Sequence, residues 1–434
     1  MPPAVHAGTA PNGSSRAQAI VAVGLAAVLS ACLLVGAVAA AGAASGPPPT
    51  PVPPSGSLSP FPTVLHTPPP STTAPRLTAR AAILESALTG QVLFAKQPNQ
   101  RRPIASVTKL MTALVAVEHR RPDHVVTVAS EATSESGSVL GLAAGERISV
   151  LQLLYALLLQ SSNDAAVALA DDVAGSTPAF VELMNRKAER LGMSDSDFRS
   201  TNGLDDRGYS SAADLAVLLR GVIEVPSLRA IMATRVHTIA NPAGPARVIQ
   251  NRNALLWLYP GAFAGKTGFT SAAGFCLVAA AERDGRQLVA VVLGDGSDAS
   301  FDDTATLLNY GFGAFAKRKV VTEGQVAGSI QVDGQAVEAA AGRTLVRLVR
   351  EDRTGEIHVQ VDPGDALSLP VVAGQTIGRV VVLAHGVQLG AVRAVAAATV
   401  RAPPRRPPGA VPGSSARGSI DLLAELLRAT FGLP

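Results

Sequence analysis

Cysteine is nearly missing from this chain of 434 residues, which holds only Cys32 and Cys276. Cys32 lies inside an apolar leader, so no disulfide framework is available to brace a fold. Cys276, in "GFCLVAAA", reads as a small buried hydrophobe. Charge is scarce as well: 16% of residues are charged and the formal net charge is +4. The Arg-rich stretches read as linkers and tails, so nucleic acid is not an expected partner. The seven histidines lack metal-ligand spacing, and His119 and His124 merely flank "RRPD". A zinc site needs a tighter cluster, so no metal is expected.

A phosphate-binding loop is absent too, although "GAFAGKTGFT" (residues 261–270) invites that reading. Such a loop needs a glycine, four residues, then Gly-Lys-[Ser/Thr]. Counting back from Gly265, the first glycine falls on Pro260, and Gly261 stands one place late. A phosphate loop also opens a helix. Here Gly268 leads instead into two apolar, β-prone runs around Asp284-Gly285, a strong hairpin signal. Lys266 is therefore expected on or beside a strand.

Residues 1–44 form a leader. It is apolar and uncharged from Ala19 to Ala44, with Arg16 on its N-terminal side. At ~1.5 Å per residue that run can span a ~30 Å bilayer core. Its end, "AVAAAGAAS", equally suits signal-peptidase cleavage. A third reading is lipidation at Cys32, because "LSAC" has the look of a lipoprotein box. Each reading carries the rest of the chain out of the cytoplasm, secreted or anchored in the cell envelope. Residues 45–75 follow as a proline-rich linker, too dense in proline for helix or central strand and expected to act as an extended spacer.

Residues 76–319 read as one α+β domain, in which helices flank an antiparallel sheet that joins early and late strands. "TARAAILESALTGQVLFAK" alternates and turns at Thr89-Gly90, as a hairpin does. Helical patterns fill 105–258, among them "SVTKLMTALVAVEH", the nearly all-apolar "SVLQLLYALLLQ" and "TPAFVELMNRKAERLG" with Gly192 as its C-cap. "DDTATLLNYGFGAFAKR" is expected to close the domain as a helix. From 320 to 400 turn signals recur every ~8–12 residues, which suggests a small β-sandwich. Residues 401–418 form a second linker rich in proline and arginine. Residues 419–434 form a short amphipathic helix, suited to a membrane surface or to a protein dock.

The partners of Lys266 carry the chemistry. Ser106 and Lys109, in "ASVTKLMTAL", stand three apart at a helix start and so share a face. A serine hydroxyl needs a base within hydrogen-bond reach. A lysine can serve if burial or a second cation lowers its pKa, and Lys266 is a candidate for that cation. Taken alone, the pair also reads as an N-cap serine beside a solvated lysine. "SSNDAA" is expected to project Ser161 and Asn163 into the same cleft; its plainer reading is a helix cap. Ser-x-x-Lys, then Ser-x-Asn, then Lys-Thr-Gly, in that order, is a serine-acyltransferase signature.

With these motifs, and with "STNGLDDRGYSSAADLA" and "NRNALLWLYPGAFAGKTGFTSAAGFCLVA", the chain resembles the low-molecular-mass penicillin-binding proteins of the D-alanyl-D-alanine carboxypeptidase type over residues 76–319. The resemblance implies a serine hydrolase that acts on peptidoglycan stem peptides, is acylated by β-lactam antibiotics and needs no cofactor. Ser106 would be the nucleophile and Lys109 its base. The backbone N–H groups of Ser106 and Phe269 would form the oxyanion hole. Ser161 and Asn163 would position substrate, with Ser161 relaying a proton to the leaving amine. Lys266 would supply positive charge, Thr267 would bind the terminal carboxylate, and Gly268 would let the substrate backbone approach the strand. A D,D-endopeptidase, a β-lactamase and a non-catalytic penicillin-binding sensor remain alternatives. The glutamate a class A β-lactamase needs has one local lookalike, Glu182 in "VELMN", on an amphipathic helix with the wrong spacing. One departure stands out. Family members usually carry an arginine shortly before the closing helix, whereas no Lys or Arg lies between Arg286 and Lys317. A raised KM is the expected consequence.

Overall fold

The computed structural model describes residues 63–67, 72–241, 244–296, 299–384 and 386–404. The leader, most of the first linker, nearly all of the second and the final helix lie outside these residues. No helix among the described residues is long and apolar enough to cross a membrane.

The central sheet has five strands in the order β2-β1-β9-β8-β7. They are β1 (Ala81–Ser86), β2 (Val92–Lys96), β7 (Ala262–Thr270), β8 (Gly274–Arg283) and β9 (Arg286–Asp295). Every pairing is antiparallel, and β1 runs beside β9 from Ala81↔Leu293 to Ser86↔Leu288. Early and late strands thus meet as the pattern predicts. All six residues of β1 are buried, because helices cover both faces of the sheet. Asp284 and Gly285 join β8 to β9 with φ of 51° and 66°, the left-handed pair that a tight two-residue hairpin requires.

One face of the sheet, through Ile83, Val278 and Val291, packs on a helical layer that encloses Leu110, Met111, Leu157 and Phe180. That layer contains α1 (Lys109–His119), α2 (Val150–Tyr155), α3 (Asn163–Ala174), α4 (Thr177–Leu191), α5 (Ala212–Glu224) and α6 (Pro226–Ala233). A short helix α7 (Leu255–Leu258) follows. Two small ribbons decorate the layer, β3 (Val125–Thr127) with β4 (Arg147–Ser149), and β5 (Val236–Ile239) with β6 (Arg247–Gln250). The opposite face, through Leu84, Leu277 and Val292, packs on the closing helix α8 (Ser300–Ala314). This helix stops sooner than its pattern suggests. Phe315 begins β10 (Phe315–Val321), drawn into pairing with β13 (Leu345–Arg350) from Phe315↔Arg350 onward. Strand pairing outweighs a helical tendency already weakened by Gly311 and Gly313.

The C-terminal module is all β. Strands β11 (Val326–Val332), β12 (Gln335–Ala341), β14 (Ile357–Pro363), β15 (Thr376–Ala384) and β16 (Val387–Ala396) form a sheet in the order β11-β12-β16-β15-β14. The sheet and the β10–β13 ribbon share a core of Val321, Val337, Leu345, Ile377, Val380 and Val392. Gln91 ties the module to the first hairpin: its Nε2 donates to Leu348 O at 2.6 Å, and Leu348 N donates to its Oε1 at 3.0 Å.

The described residues of the first linker make contacts with the domain. Leu65 packs against the α8 side of the sheet. His66 N donates to Asp302 Oδ1 at 2.7 Å, and Arg350 donates to Thr72 O at 3.1 Å. The described part of the proline-rich stretch therefore lies along the domain surface.

Candidate active site

Ser106 sits in a single tight turn, Ala105–Thr108, that leads straight into α1. Ala105 just before it has φ of 47°, the kind of backbone strain that a functional site can hold. The loop 201–203 presses on this turn. A Cβ on Gly203 would fall 1.9 Å from Ala105 O, so only glycine permits the approach. The close fit brings Asn202 O to 2.7 Å from Lys109 Nζ.

Lys109 is 0% exposed. Its Nζ lies 2.8 Å from Ser106 Oγ, 2.8 Å from Asn163 Oδ1 and 2.7 Å from Asn202 O. Two of these partners are carbonyl oxygens that can only accept; the third is a hydroxyl. A neutral amine has two N–H donors and one lone pair. Both donors are thus used, and the lone pair is left for the Ser106 proton. Burial, and after it the nearby charge of Arg252, push the Lys109 pKa down to about 7 against the opposing pull of Glu135 and Asp164.

Ser161 is aimed by an irregular turn. Helix α2 widens into a π-helical turn, Ala156–Gln160, and ends at Ser161 in a left-handed conformation with φ of 70°. Asn163 then opens α3. Asn163 Nδ2 donates to Ser136 O at 2.6 Å while its Oδ1 accepts from Lys109. The following Asp164 accepts from the backbone N–H groups of Leu140, Gly141 and Leu142 at 2.9, 2.9 and 3.1 Å. One short segment therefore holds both the lysine and the loop that walls the site.

Lys266, on β7, is also buried, and its Nζ stands 2.9 Å from Ser161 Oγ and 2.8 Å from Thr267 O. Burial drives its pKa well below the ordinary range, and the charges of Lys109 and Arg252 add to the effect. Arg252 thus acts on both amines. Alternation along β7 turns Lys266 and Gly268 toward the helical layer. Thr267, half-buried and opposite Leu277, belongs to the other face of the same edge strand. Phe269, 37% exposed, packs against Phe275 with ring centroids 4.5 Å apart and planes tilted by 39°.

Gly268 is pressed by the chain itself. A Cβ there would lie 2.7 Å from Ile104 O and 3.1 Å from Ser106 N. The glycine admits the chain's own nucleophile turn against β7. Glu182 is exposed and pairs with Arg186 on α4, remote in role from this cluster. Cys276 is a buried free thiol whose pKa burial raises to about 11. Among the described residues no group of three or more His, Cys, Asp or Glu converges as a metal site would require.

Three contributors carried no assigned role in the sequence reading: Asn202, Asp164 and Arg252. Their only signal was membership in the "STNG", "SSND" and "NRN" stretches.

A serine hydroxyl set against a buried lysine whose pKa is lowered to about 7 defines a serine acyl-transfer enzyme that uses an amine as its base. The comparisons with known proteins agree with that class. The family model for D-alanyl-D-alanine carboxypeptidase, Peptidase_S11, matches residues 69–297. The D-alanyl-D-alanine carboxypeptidase DacD of Escherichia coli (strain K12) is 34% identical over 324 residues, covering 70% of this chain and 82% of that protein. Among solved structures, the carboxypeptidase DacD from Francisella tularensis superposes with a TM-score of 0.65 at 25% identity, covering 77% of this chain and 96% of that one. Penicillin binding protein 5 from Haemophilus influenzae gives 0.64 at 29% identity, covering 76% and 99%. The chain belongs to the D-alanyl-D-alanine carboxypeptidase family of serine peptidases.

Proposed function

We propose that this protein removes the terminal D-alanine from peptidoglycan stem peptides through an acyl-enzyme on Ser106, and that penicillins acylate the same serine. Ser106 Oγ attacks the carbonyl between the two D-alanines, and its proton passes to neutral Lys109. The backbone N–H groups of Ser106 and Phe269 hold the oxyanion; the closeness of Gly268 to Ser106 N supports this pairing. On collapse the C–N bond breaks, and the proton held by Lys109 is relayed through Ser161 to the departing amine, while Lys266 holds Ser161 Oγ by a hydrogen bond. Asn163 keeps Lys109 in place. Thr267, on the edge strand β7, would take the terminal carboxylate. Water then hydrolyses the ester, returning Ser106 and releasing the shortened peptide.

The observation that carries this reading is the 2.8 Å contact between Lys109 Nζ and Ser106 Oγ, with both remaining amine hydrogens committed to carbonyl acceptors. Peptidoglycan as substrate places the work outside the cytoplasm, with the leader as export signal or anchor. The β module would act as a spacer that sets the height of the catalytic cleft.

Mass spectrometry after incubation with benzylpenicillin tests the assignment. The adduct should map to the peptide containing Ser106 and vanish in Ser106→Ala. Release of D-alanine from a pentapeptide should follow the same pattern. Label on another residue, or D-alanine release that survives the substitution, would overturn it.

A further inference from the structure

Two asparagines hold Lys109, and one dipeptide holds both asparagines. Asn163 Oδ1 and Asn202 O accept from Lys109 Nζ at 2.8 and 2.7 Å. Asn163 Nδ2 donates to Ser136 O at 2.6 Å, and Asn202 Nδ2 donates to Glu135 Oε2 at 2.9 Å. Asn202 Oδ1 accepts from Leu204 N at 3.1 Å, which fixes the amide with its nitrogen toward the glutamate. Glu135 and Ser136 open the loop that walls the site, and the rest of that loop is fastened down. Ser138 Oγ donates to Gln160 O at 2.8 Å, Asn163 N donates to Ser138 O at 2.7 Å, and Asp164 takes the 140–142 backbone. Residues 201–203 come from the other side and are tied to α1, where Thr112 Oγ1 donates to Thr201 O at 2.6 Å. Glu135 therefore links one wall of the cleft to the other, with the buried amine held between them.

The link asks only for an acceptor, and a glutamine would serve. A carboxylate adds a charge, and the surroundings of Lys109 give that charge a use. Burial and the guanidinium of Arg252 both disfavour the protonated amine, while Glu135 and Asp164 oppose them. Lys266 stands across Ser161 and is itself driven toward the neutral form. Residues 201–203 carry no titratable side chain. Asp164 is engaged by three backbone N–H groups, whereas Glu135 is half-buried and gives one oxygen to Asn202. An amine that sheds its proton too readily is a weak acceptor for the serine proton, so the best base is the strongest one still neutral at the working pH.

We propose that Glu135 is a positioning residue for the acyl transfer: its carboxylate clamps Asn202, and through it the Lys109 amine, against the wall loop, and its negative charge faces that amine as the counterweight to Arg252. The proposal rests on the peptidase reading above and adds to it the residue that sets the working pH of the base.

The test follows the acylation rate constant with excess benzylpenicillin from about pH 5 to about pH 9, in the full chain, in Glu135→Gln and in Glu135→Ala. A rate constant read in this way does not depend on the fraction folded. Glu135→Gln keeps an acceptor for Asn202 and loses the charge. Its profile should reach half-maximum at a lower pH than that of the wild type, so that the rate near pH 6, taken against its own plateau, rises by about two- to fivefold. Glu135→Ala loses the clamp as well, and its plateau should lie about 10-fold below that of Glu135→Gln. A side chain that only braced the fold would leave the half-maximum where it is. An unmoved half-maximum in Glu135→Gln, or equal plateaus in the two variants, overturns the assignment. If the wild type is acylated but releases no D-alanine from a pentapeptide, the peptidase reading fails and the profile still decides on Glu135. If the wild type is not acylated, both fall.

Discussion

The catalytic domain and the β module that follows it are both organised around sheets, but they enclose different chemistry. Between Glu85 and Thr304 the fold buries Lys109, Lys266, Asp164 and Asp295, together with several asparagines and serines. From β10 onward, the buried side chains among the described residues are hydrocarbon, such as Val337, Ile377 and Val392. A hydrocarbon core needs only volume and pattern to assemble. An amine taken out of water costs free energy unless it gives up its proton, so buried lysines mark places where chemistry has outweighed stability. The comparison predicts that the two regions answer differently to the same kind of substitution.

The largest effect should come from Ser106→Ala, which is expected to lower D-alanine release by at least about 10³-fold with little change in melting temperature. Lys109→Met comes next. Acylation by benzylpenicillin should fall by roughly 10²- to 10⁴-fold, while the melting temperature at pH 7 rises, because a buried amine gives way to a hydrophobe of similar length. The pH dependence follows from the same group. Only neutral Lys109 can accept the Ser106 proton, so the acylation rate constant should climb as pH rises through about 7. The amine also weakens the fold in a pH-dependent way. The unfolded chain holds its Lys109 proton up to about pH 10.4, whereas the folded chain releases it near 7. Stability should increase with pH between those values. Melting curves for Lys109→Met should have a shallower slope there, and an unchanged slope would contradict a neutral Lys109. In the module, Ile377→Ala should cost about 2–5 kcal/mol of module stability and leave acylation unaltered; a matching fall in acylation would break the division between the regions. Gln91→Ala, at the junction, should cost about 0.5–1.5 kcal/mol for each bond lost, read by calorimetry as a small separation of the two transitions.

Sequence reasoning reached the architecture because its strongest signals were local. The β1–β2 hairpin, the Asp284–Gly285 turn and the long helices each carry a periodic pattern that the fold respects. The end of α8 was missed because pairing with β13, a strand 30 residues further on, converts "FAKRKVV" into β10. The motif residues were equally legible, since Ser106, Lys109, Asn163, Ser161 and Lys266 do meet. The approach of Ile104 and Ser106 to Gly268 was not, because it comes from far along the chain. Asn202 contributes a backbone carbonyl, and a carbonyl leaves no trace in residue identity. Arg252 is one arginine among many until the fold sets it beside two lysines.

The π-helical turn before Ser161 has a consequence for anyone wishing to tidy this protein. That turn holds one more residue than a regular helix would allow. Removing one of Leu157, Leu158 or Leu159 would let the helix close in its ordinary register and redirect the residues at the end of the turn. A shorter, more regular and more comfortable helix would then point its serine away from Lys266. The irregularity is a pointing device, and a sequence redesigned for ideal geometry at this place would lose its aim before it lost its fold.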